Sequence, residues 1–326
     1  MTALRLGLLS TAKINDAILG GAAKTSLVGV VAVGSRDAVK GEAYANEKGL
    51  SRSHGSYDAL LADPEVDAVY ISLPNGMHHE WTLRALAAGK HVLCEKPYTR
   101  HPAEVEEAYA AAAAAGRVFM EAFMYRHHPQ IAMAREMIES GTLGRVRLIR
   151  AAFSFPLSDM GNIRVNADLE GGSLMDVGCY CVSGSRLMAG AEPLHVLGEQ
   201  VLLDNGCDIS FHGTMRFPDD VVAQFDCSFA LTNRQGLEVV GDDGLMRLTG
   251  PWRADLGGRV EIVRADGTVE TLPVPEADSY TCQLENLARA VAGDEPPLVD
   301  RQETLGQART IEALYRSAAN GAIEAL

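Results

Sequence analysis

The sequence predicts an α/β protein of two domains. Residues 1–124 form a doubly wound parallel sheet of the Rossmann kind, and 125–326 an α+β domain with a large, mostly antiparallel sheet. Three observations predict this. The 326 residues exceed what one hydrophobic core usually supports. Up to Ala122, short apolar runs alternate with helical patterns, the grammar of parallel βαβ units. Beyond Leu194 the chain turns into successive strand patterns joined by short turns, which is the grammar of hairpins.

In order, Leu4–Leu9 is an apolar run apt for a buried parallel strand, and Ser10-Thr11-Ala12-Lys13-Ile14-Asn15 leads into a helix through Ala23. Val28–Gly34 is the second strand, followed by a helix over Ala38–Lys48 with Asp37 as its cap. Asp67–Leu73, His91–Cys94 and Val118–Ala122 are further strands, with helices over His78–Ala88 and Pro102–Ala115 between them. A helix at Gln130–Ser140 and a strand at Val146–Phe155 open the second half. A loop with Arg164 and a helix from Gly171 through Met188 follow. Strands are then expected at Val196–Leu203, Asp208–Phe217, Val221–Phe229, Gln235–Val240, Leu245–Thr249, Val260–Arg264 and Val269–Leu272. The turns at 218–220, 241–244 and 265–267 carry Gly or Asp where positive φ is expected. Helices at Tyr280–Ala292 and Glu303–Ala319 close the chain.

Composition narrows the function classes. A net charge of −14, from 43 acids against 29 bases, argues against nucleic-acid and anionic-membrane surfaces. No apolar run approaches the ~20 residues of a membrane helix, and the N-terminus lacks signal-peptide features, so the cytoplasm is the expected location. Cys179 and Cys181 form a C-x-C without partners at zinc-finger spacing, so no metal is expected and both read as core. Trp81 and Trp252 read as packing, and His127 and His128 as solvated or packed loop residues.

Ligands of doubly wound sheets bind at the carboxyl ends of the strands. Ser10, Arg36, Asn75, Lys96 and Glu121 all stand at or just past such ends. The first strand, tight turn and helix offer a helix N-terminus to a pyrophosphate, although Ser10, Ala12 and Asn15 replace the usual glycines. After the second strand, Ser35 and Arg36 suit a 2′-phosphate where an acid would mark NAD, which favours NADP over NAD. In the second half, Gly171-Gly172-Ser173-Leu174-Met175-Asp176-Val177-Gly178-Cys179-Tyr180 draws attention. Ser173 is placed to cap a helix and Asp176 to complete a capping box, while Asp176 and Tyr180, four apart, share a helix face beside a glycine loop that admits a ligand. A carboxylate and a phenol so placed suit proton transfer with a hydroxyl; capping and packing explain them equally well from this stretch alone.

Several motifs in order give the chain a resemblance. They are Leu73-Pro74-Asn75 with His78, Glu95-Lys96-Pro97, Glu121–Arg126 and Leu174–Tyr180. Together they resemble the glucose–fructose oxidoreductase / inositol dehydrogenase / rhizopine-catabolism (Gfo/Idh/MocA) family nearly end to end. Tyr at position 180, where inositol-dehydrogenase-like members carry His, is similar to the branch holding the NADP-dependent xylose and dihydrodiol dehydrogenases. The resemblance implies catalytic roles for Lys96, Asp176 and Tyr180, and a cis Lys96–Pro97 bond. For the cofactor it implies Ser10, Thr11, Ala12, Lys13, Ile14, Ser35, Arg36, Leu73, Pro74, Asn75, His78, Glu95, Lys96 and Arg126. For the substrate it implies Lys96, Arg126, Arg164, Asp176 and Tyr180, with Arg126 either lining the cleft or bridging the domains.

Two readings from different classes follow. The first is an NADP-dependent sugar or polyol dehydrogenase, with aldose C1 oxidation to the lactone foremost and ketosugar reduction or dihydrodiol oxidation as variants. The second is an NADP(H)-sensing module that recruits a partner through its sheet, against which the retention of all three reactive residues argues. A homodimer or homotetramer through the second sheet is expected in the first reading.

Overall fold

The structure is a computed structural model and describes residues 3–326. The chain runs β1 (Leu4–Leu9), α1 (Asn15–Ala22), β2 (Val28–Gly34), α2 (Ala38–Lys48), β3 (Arg52–His54), α3 (Tyr57–Leu61), β4 (Ala68–Ile71), α4 (His78–Ala87), β5 (His91–Cys94), α5 (Pro102–Ala115) and β6 (Phe119–Glu121). It continues through α6 (Pro129–Glu139), β7 (Val146–Ser154), a π-helical turn (Leu174–Gly178) and α7 (Cys179–Ala189). The strands β8 (His195–Leu202), β9 (Asp208–Arg216), β10 (Val222–Ser228), β11 (Arg234–Gly241), β12 (Gly244–Thr249), β13 (Arg259–Arg264) and β14 (Val269–Leu272) follow. Last come α8 (Ser279–Ala292), α9 (Arg301–Asn320) and β15 (Glu324–Ala325). Among the described residues no helix is long and apolar enough to cross a membrane.

The first unit holds a six-stranded sheet in the order β3-β2-β1-β4-β5-β6, every pair parallel. β1, β4 and β5 are apolar almost throughout because helices cover both faces of a parallel sheet, and Leu6, Leu8, Tyr70, Ile71 and Leu93 are fully buried. Chain order reverses direction across the sheet between β1 and β4, the switch point where such sheets bind ligands. Asp37 caps α2 as the sequence implies, accepting from Lys40 N at 3.1 Å.

The second unit is built on a nine-stranded sheet, β14-β13-β12-β11-β7-β10-β9-β8-β15, antiparallel except where β10 runs parallel to β7. The turn between β9 and β10 uses positive φ at Asp219 and Asp220, and that between β13 and β14 uses Gly267. The turn between β11 and β12 does not. There the glycines answer to space: a Cβ on Gly241 would lie 2.0 Å from Leu143 O, and one on Gly244 2.8 Å from Val263 O.

The chain forms two compact units, neither of them one continuous stretch. The first unit comprises the chain through Thr99, Ala103–His127 and Asp278–Thr304; the second comprises Arg100–Pro102, His128–Ala277 and Leu305–Leu326. α8 therefore belongs with the parallel sheet, because it packs on α1. Gly21 brings the two backbones together, where a Cβ would lie 3.0 Å from Thr281 N, and Thr281 Oγ1 donates to Gly21 O at 3.1 Å. Lys24 and Asp278 add an ion pair at 2.6 Å.

Candidate active site

In the first unit the candidate residues gather at the carboxyl ends of the parallel strands. Ser10 ends β1 with φ 148°, a region that normally asks for glycine and costs other residues roughly 1–3 kcal/mol. A buried network holds it there. Ser10 Oγ lies 2.8 Å from Ser72 Oγ, Ser72 Oγ donates to Asn15 Oδ1 at 2.8 Å, and Asn15 Nδ2 donates to Ser10 O at 2.8 Å. Ser10 Oγ also accepts from Ala12 N at 3.1 Å. This three-residue lock explains how the turn forms without its usual glycines. Ser72, just past β4, gave no sign of this in the sequence, since its partners lie 57 and 62 residues away.

The same turn leaves donors facing outward. The first backbone bonds of α1 run from Asn15, Asp16 and Ala17, while the amides of Thr11, Lys13 and Ile14 make no hydrogen bond among the described residues. Asp16, the acid in that first turn, is engaged by Lys48 at 2.8 Å. Unspent amides at a helix N-terminus are the donor set a pyrophosphate takes, so these residues fit a dinucleotide. At the end of β2, Ser35 is buried and its Oγ accepts from Asp37 N at 3.2 Å, while Asp37 is spent on α2. Arg36 is exposed and makes no ion pair among the described residues. It thus presents a cation just past the end of β2 without a neighbouring free acid.

The turn bearing Lys96 is clamped from several sides. The Lys96–Pro97 bond is cis, as expected. Tyr70 OH donates to Glu95 Oε1, Lys96 N donates to Glu95 Oε2 at 3.3 Å, and Tyr98 N donates to Glu121 Oε1 at 2.8 Å. His78 is a correction. Expected on the cofactor, it is fully buried, with Nδ1 2.9 Å from Pro97 O and Nε2 2.8 Å from Leu73 O, and burial pushes its pKa down. It fastens the end of β4 to the Lys96 turn. Leu73 correspondingly buries its side chain and gives its carbonyl to His78, and Asn75 opens a short 3₁₀ turn after Pro74. Arg126, expected to line the cleft or to bridge the domains, has a buried guanidinium that donates to Glu303 Oε2 at 3.0 Å within the first unit.

In the second unit, the Gly171–Tyr180 stretch departs from a regular helix. Residues Leu174–Gly178 form a π turn, a rare geometry frequent at functional sites, before α7 begins. The expected capping box does not form. Ser173 makes no cap; its Oγ donates 2.6 Å to Asp208 Oδ2, which also accepts from Leu174 N at 2.7 Å. Asp208, from β9, thus takes the capping role. The glycines serve this approach of backbone to backbone and carboxylate: a Cβ on Gly172 would lie 2.2 Å from Asp208 Oδ1, and one on Gly171 2.6 Å from Arg164 O. Asp176 Oδ2 accepts from Arg164 Nε at 2.8 Å.

Tyr180 is buried, its ring edge-on to Phe153 at 5.5 Å between centroids and tilted on Trp252 at 5.8 Å. Trp252 Nε1 donates to Ala152 O at 3.0 Å, so the wall against the phenol ring is itself fixed. Cys179 and Cys181 are fully buried and Trp81 packs edge-on to Tyr57 at 5.0 Å, all core as read from the sequence. His127 and His128 are packed: His128 Nδ1 accepts from Gln130 N at 3.1 Å to cap α6.

Comparison with known proteins agrees with both halves. Residues 12–123 match an oxidoreductase family with an NAD-binding Rossmann fold, and 131–247 match the GFO/IDH/MocA C-terminal domain. The chain is 39% identical over 321 residues to D-xylose 1-dehydrogenase (NADP(+)) 2 of Haloferax volcanii, covering 98% of each. Among solved structures it is similar to an aldose–aldose oxidoreductase from Caulobacter crescentus, with a TM-score of 0.92, 27% identity and coverage of 99% of this chain and 100% of that one. It is also similar to a 3-ketoreductase from Actinomadura kijaniata in complex with NADP and TDP-benzene, with a TM-score of 0.91, 30% identity and coverage of 97% and 98%. With family models matching both halves and a relative 39% identical over 98% of both chains, the chain belongs to the GFO/IDH/MocA family of oxidoreductases.

Proposed function

We propose that this protein is an NADP-dependent sugar dehydrogenase that oxidises an aldose at C1 to the lactone. The observation that carries the reading is the side-chain set of one segment: the Tyr180 phenol, walled by Phe153 and Trp252, one turn after an Asp176 carboxylate held by Arg164. The likeness to a D-xylose 1-dehydrogenase that uses NADP(+), over 98% of both chains, supports it.

In this reading the amides of Thr11, Lys13 and Ile14 would hold the pyrophosphate, Ser35 and Arg36 would hold the 2′-phosphate, and the Leu73–Asn75 and Glu95–Lys96 turns would contribute the remaining cofactor contacts. The bound nicotinamide supplies a hydride acceptor. Tyr180 takes the proton of the C1 hydroxyl as the C1–H bond gives up its hydrogen and both electrons, and the C1–O bond becomes the lactone carbonyl. Lys96, on the clamped Glu-Lys-Pro turn, is the third residue of the proposed catalytic set, and an ammonium is the kind of group that favours a phenolate. Asp176, fixed by Arg164, accepts from a second sugar hydroxyl and so sets which carbon faces the acceptor.

The test is a panel of aldoses, polyols and diols with NADP and with NAD, followed at the nicotinamide absorbance, with the product of any positive reaction identified. Reduction of NADP by an aldopyranose with lactone formed supports the reading. Likeness to the 3-ketoreductase favours a second reading, reduction of a ketosugar by NADPH, which the same panel run in reverse separates. Binding of NADPH without turnover of any compound would favour a sensing module instead.

A further inference from the structure

The carboxylate of Asp208 lies outside the catalytic set yet meets the segment that carries it at three consecutive residues. Gly172, with φ 130°, leaves no room for a side chain, since its Cβ would stand 2.2 Å from Asp208 Oδ1. Ser173, fully buried, donates its hydroxyl to Oδ2 at 2.6 Å, and Leu174 donates its amide to the same oxygen at 2.7 Å. The other oxygen accepts from Tyr315 OH, on α9, at 2.8 Å. Asp208 is itself 2% exposed, so none of these bonds competes with bulk water.

π turns are rare and occur mostly as single-turn interruptions of α-helices. What fixes this one is its first residues, and those are bound to Asp208. A wide turn also spaces its side chains differently from an α turn, so its register decides how far Asp176 stands from Tyr180. We propose that Asp208, oriented by Tyr315, is a positioning residue that sets the register of the Leu174–Gly178 turn and thereby the placement of the Asp176 carboxylate relative to the Tyr180 hydroxyl. This rests on the reading that those two groups handle the sugar's hydroxyls.

Three variants and two measurements test it. Asp208→Ala removes every acceptor, Tyr315→Phe removes one donor, and Asp208→Asn keeps an oxygen for Ser173 and Leu174 while its amide donates to the Tyr315 oxygen. With the sugar that the wild type turns over, Asp208→Ala should lower kcat by roughly tenfold to hundredfold, the penalty of a misplaced group, while KM for NADP stays within about twofold. Asp208→Asn should restore most of the loss, which a general loss of packing would not allow. Tyr315→Phe should fall between, and it carries the kinetic test if Asp208→Ala does not fold. The second measurement needs no substrate: amide hydrogen exchange at residues 174–180 should accelerate in Asp208→Ala, or in Tyr315→Phe to a smaller extent, with exchange in β7 and β11 unchanged. Wild-type kcat in these variants, or unchanged exchange at 174–180, overturns the proposal. If no sugar is turned over by the wild type, the functional reading fails and exchange alone decides whether Asp208 sets the turn.

Discussion

Arg164 Nε donates to Asp176 Oδ2 across 2.8 Å, binding the loop before Gly171 to the π turn after it. The Arg164 side chain is 43% exposed and that of Asp176 19%, and a pair so open to water contributes less than about 1 kcal/mol to stability. Arg164→Leu should therefore shift the melting temperature by less than about 2 °C. The carboxylate, without its arginine partner, should raise KM for the sugar by roughly tenfold, the worth of one charge-assisted hydrogen bond. An unchanged KM would remove Arg164 from the substrate site.

In the proposed reading Arg36 carries the cofactor preference, and the acid next to it, Asp37, is committed to Lys40 N. Arg36→Ala should raise KM for NADP by roughly tenfold to a hundredfold, the range of a lost phosphate contact, and leave KM for NAD nearly unchanged. Equal losses with both cofactors would mean that the arginine does not read the 2′-phosphate.

On the face of the large sheet turned away from α7, two rows lie side by side. Arg150, Glu238, Arg247 and Glu261 are in register across β7, β11, β12 and β13, with Arg247 Nε 2.9 Å from Glu238 Oε2. Beside them run half-buried Val222, Leu148, Val240, Leu245 and Val263. An apolar stripe flanked by alternating charge suits a second copy related by a two-fold axis, because the pattern complements itself when reversed. Light scattering at micromolar concentration should give a dimer or a dimer of dimers, and Leu148→Glu should shift it to monomer. A monomeric wild type would sink this.

The strands and helices were legible because burial writes them as local periodicity, and the boundaries of β1, α2 and α5 follow from such patterns and their flanking caps. What escaped the sequence depended on distant partners. Ser10 adopts a glycine's φ only because Asn15 and Ser72 lock it, and Ser72 comes from a different strand. The π turn is anchored by Asp208, 34 or 35 residues away, so the sequence read it as an ordinary helix with Ser173 as cap. His78 looked like a helix-start residue near a ligand, and only the meeting of the ends of β4 and β5 makes it a clamp. The placement of α8 on α1 joins residues 260 apart, which no local pattern records.

His127 makes the fold acid-sensitive. Burial pushes its pKa down to about 4, and its Nε2 lies 3.2 Å from Asn286 Oδ1. In the unfolded chain the ring titrates near 6.5, so above that pH it is neutral in both states and contributes nothing. As pH falls from about 6.5 toward 4 the unfolded chain takes up the proton first, and stability declines, by about 2 kcal/mol at pH 5. Below 4 this contribution stops changing. Urea unfolding at pH 7.5 and pH 5 should show a smaller loss in His127→Gln than in the wild type. Equal losses would locate the acid sensitivity elsewhere.

Tyr180→Phe isolates the chemistry from the packing. The ring stays, so its contacts with Phe153 and Trp252 survive and the melting temperature should move little. Only the hydroxyl is lost. General acid–base groups contribute roughly 10²–10⁴-fold, so kcat should fall by about that factor while NADP affinity holds. In the wild type, oxidation should rise with pH as the phenol ionises, because the phenolate is the form that takes the substrate's proton. Lys96→Met, which removes the ammonium of the proposed catalytic set, should move that rise to higher pH or abolish activity. Tyr180→Phe should show no such rise at all. Should Tyr180→Phe keep near-full turnover with the chemical step rate-limiting, the tyrosine is a packing residue of α7, and the proton must leave by another group.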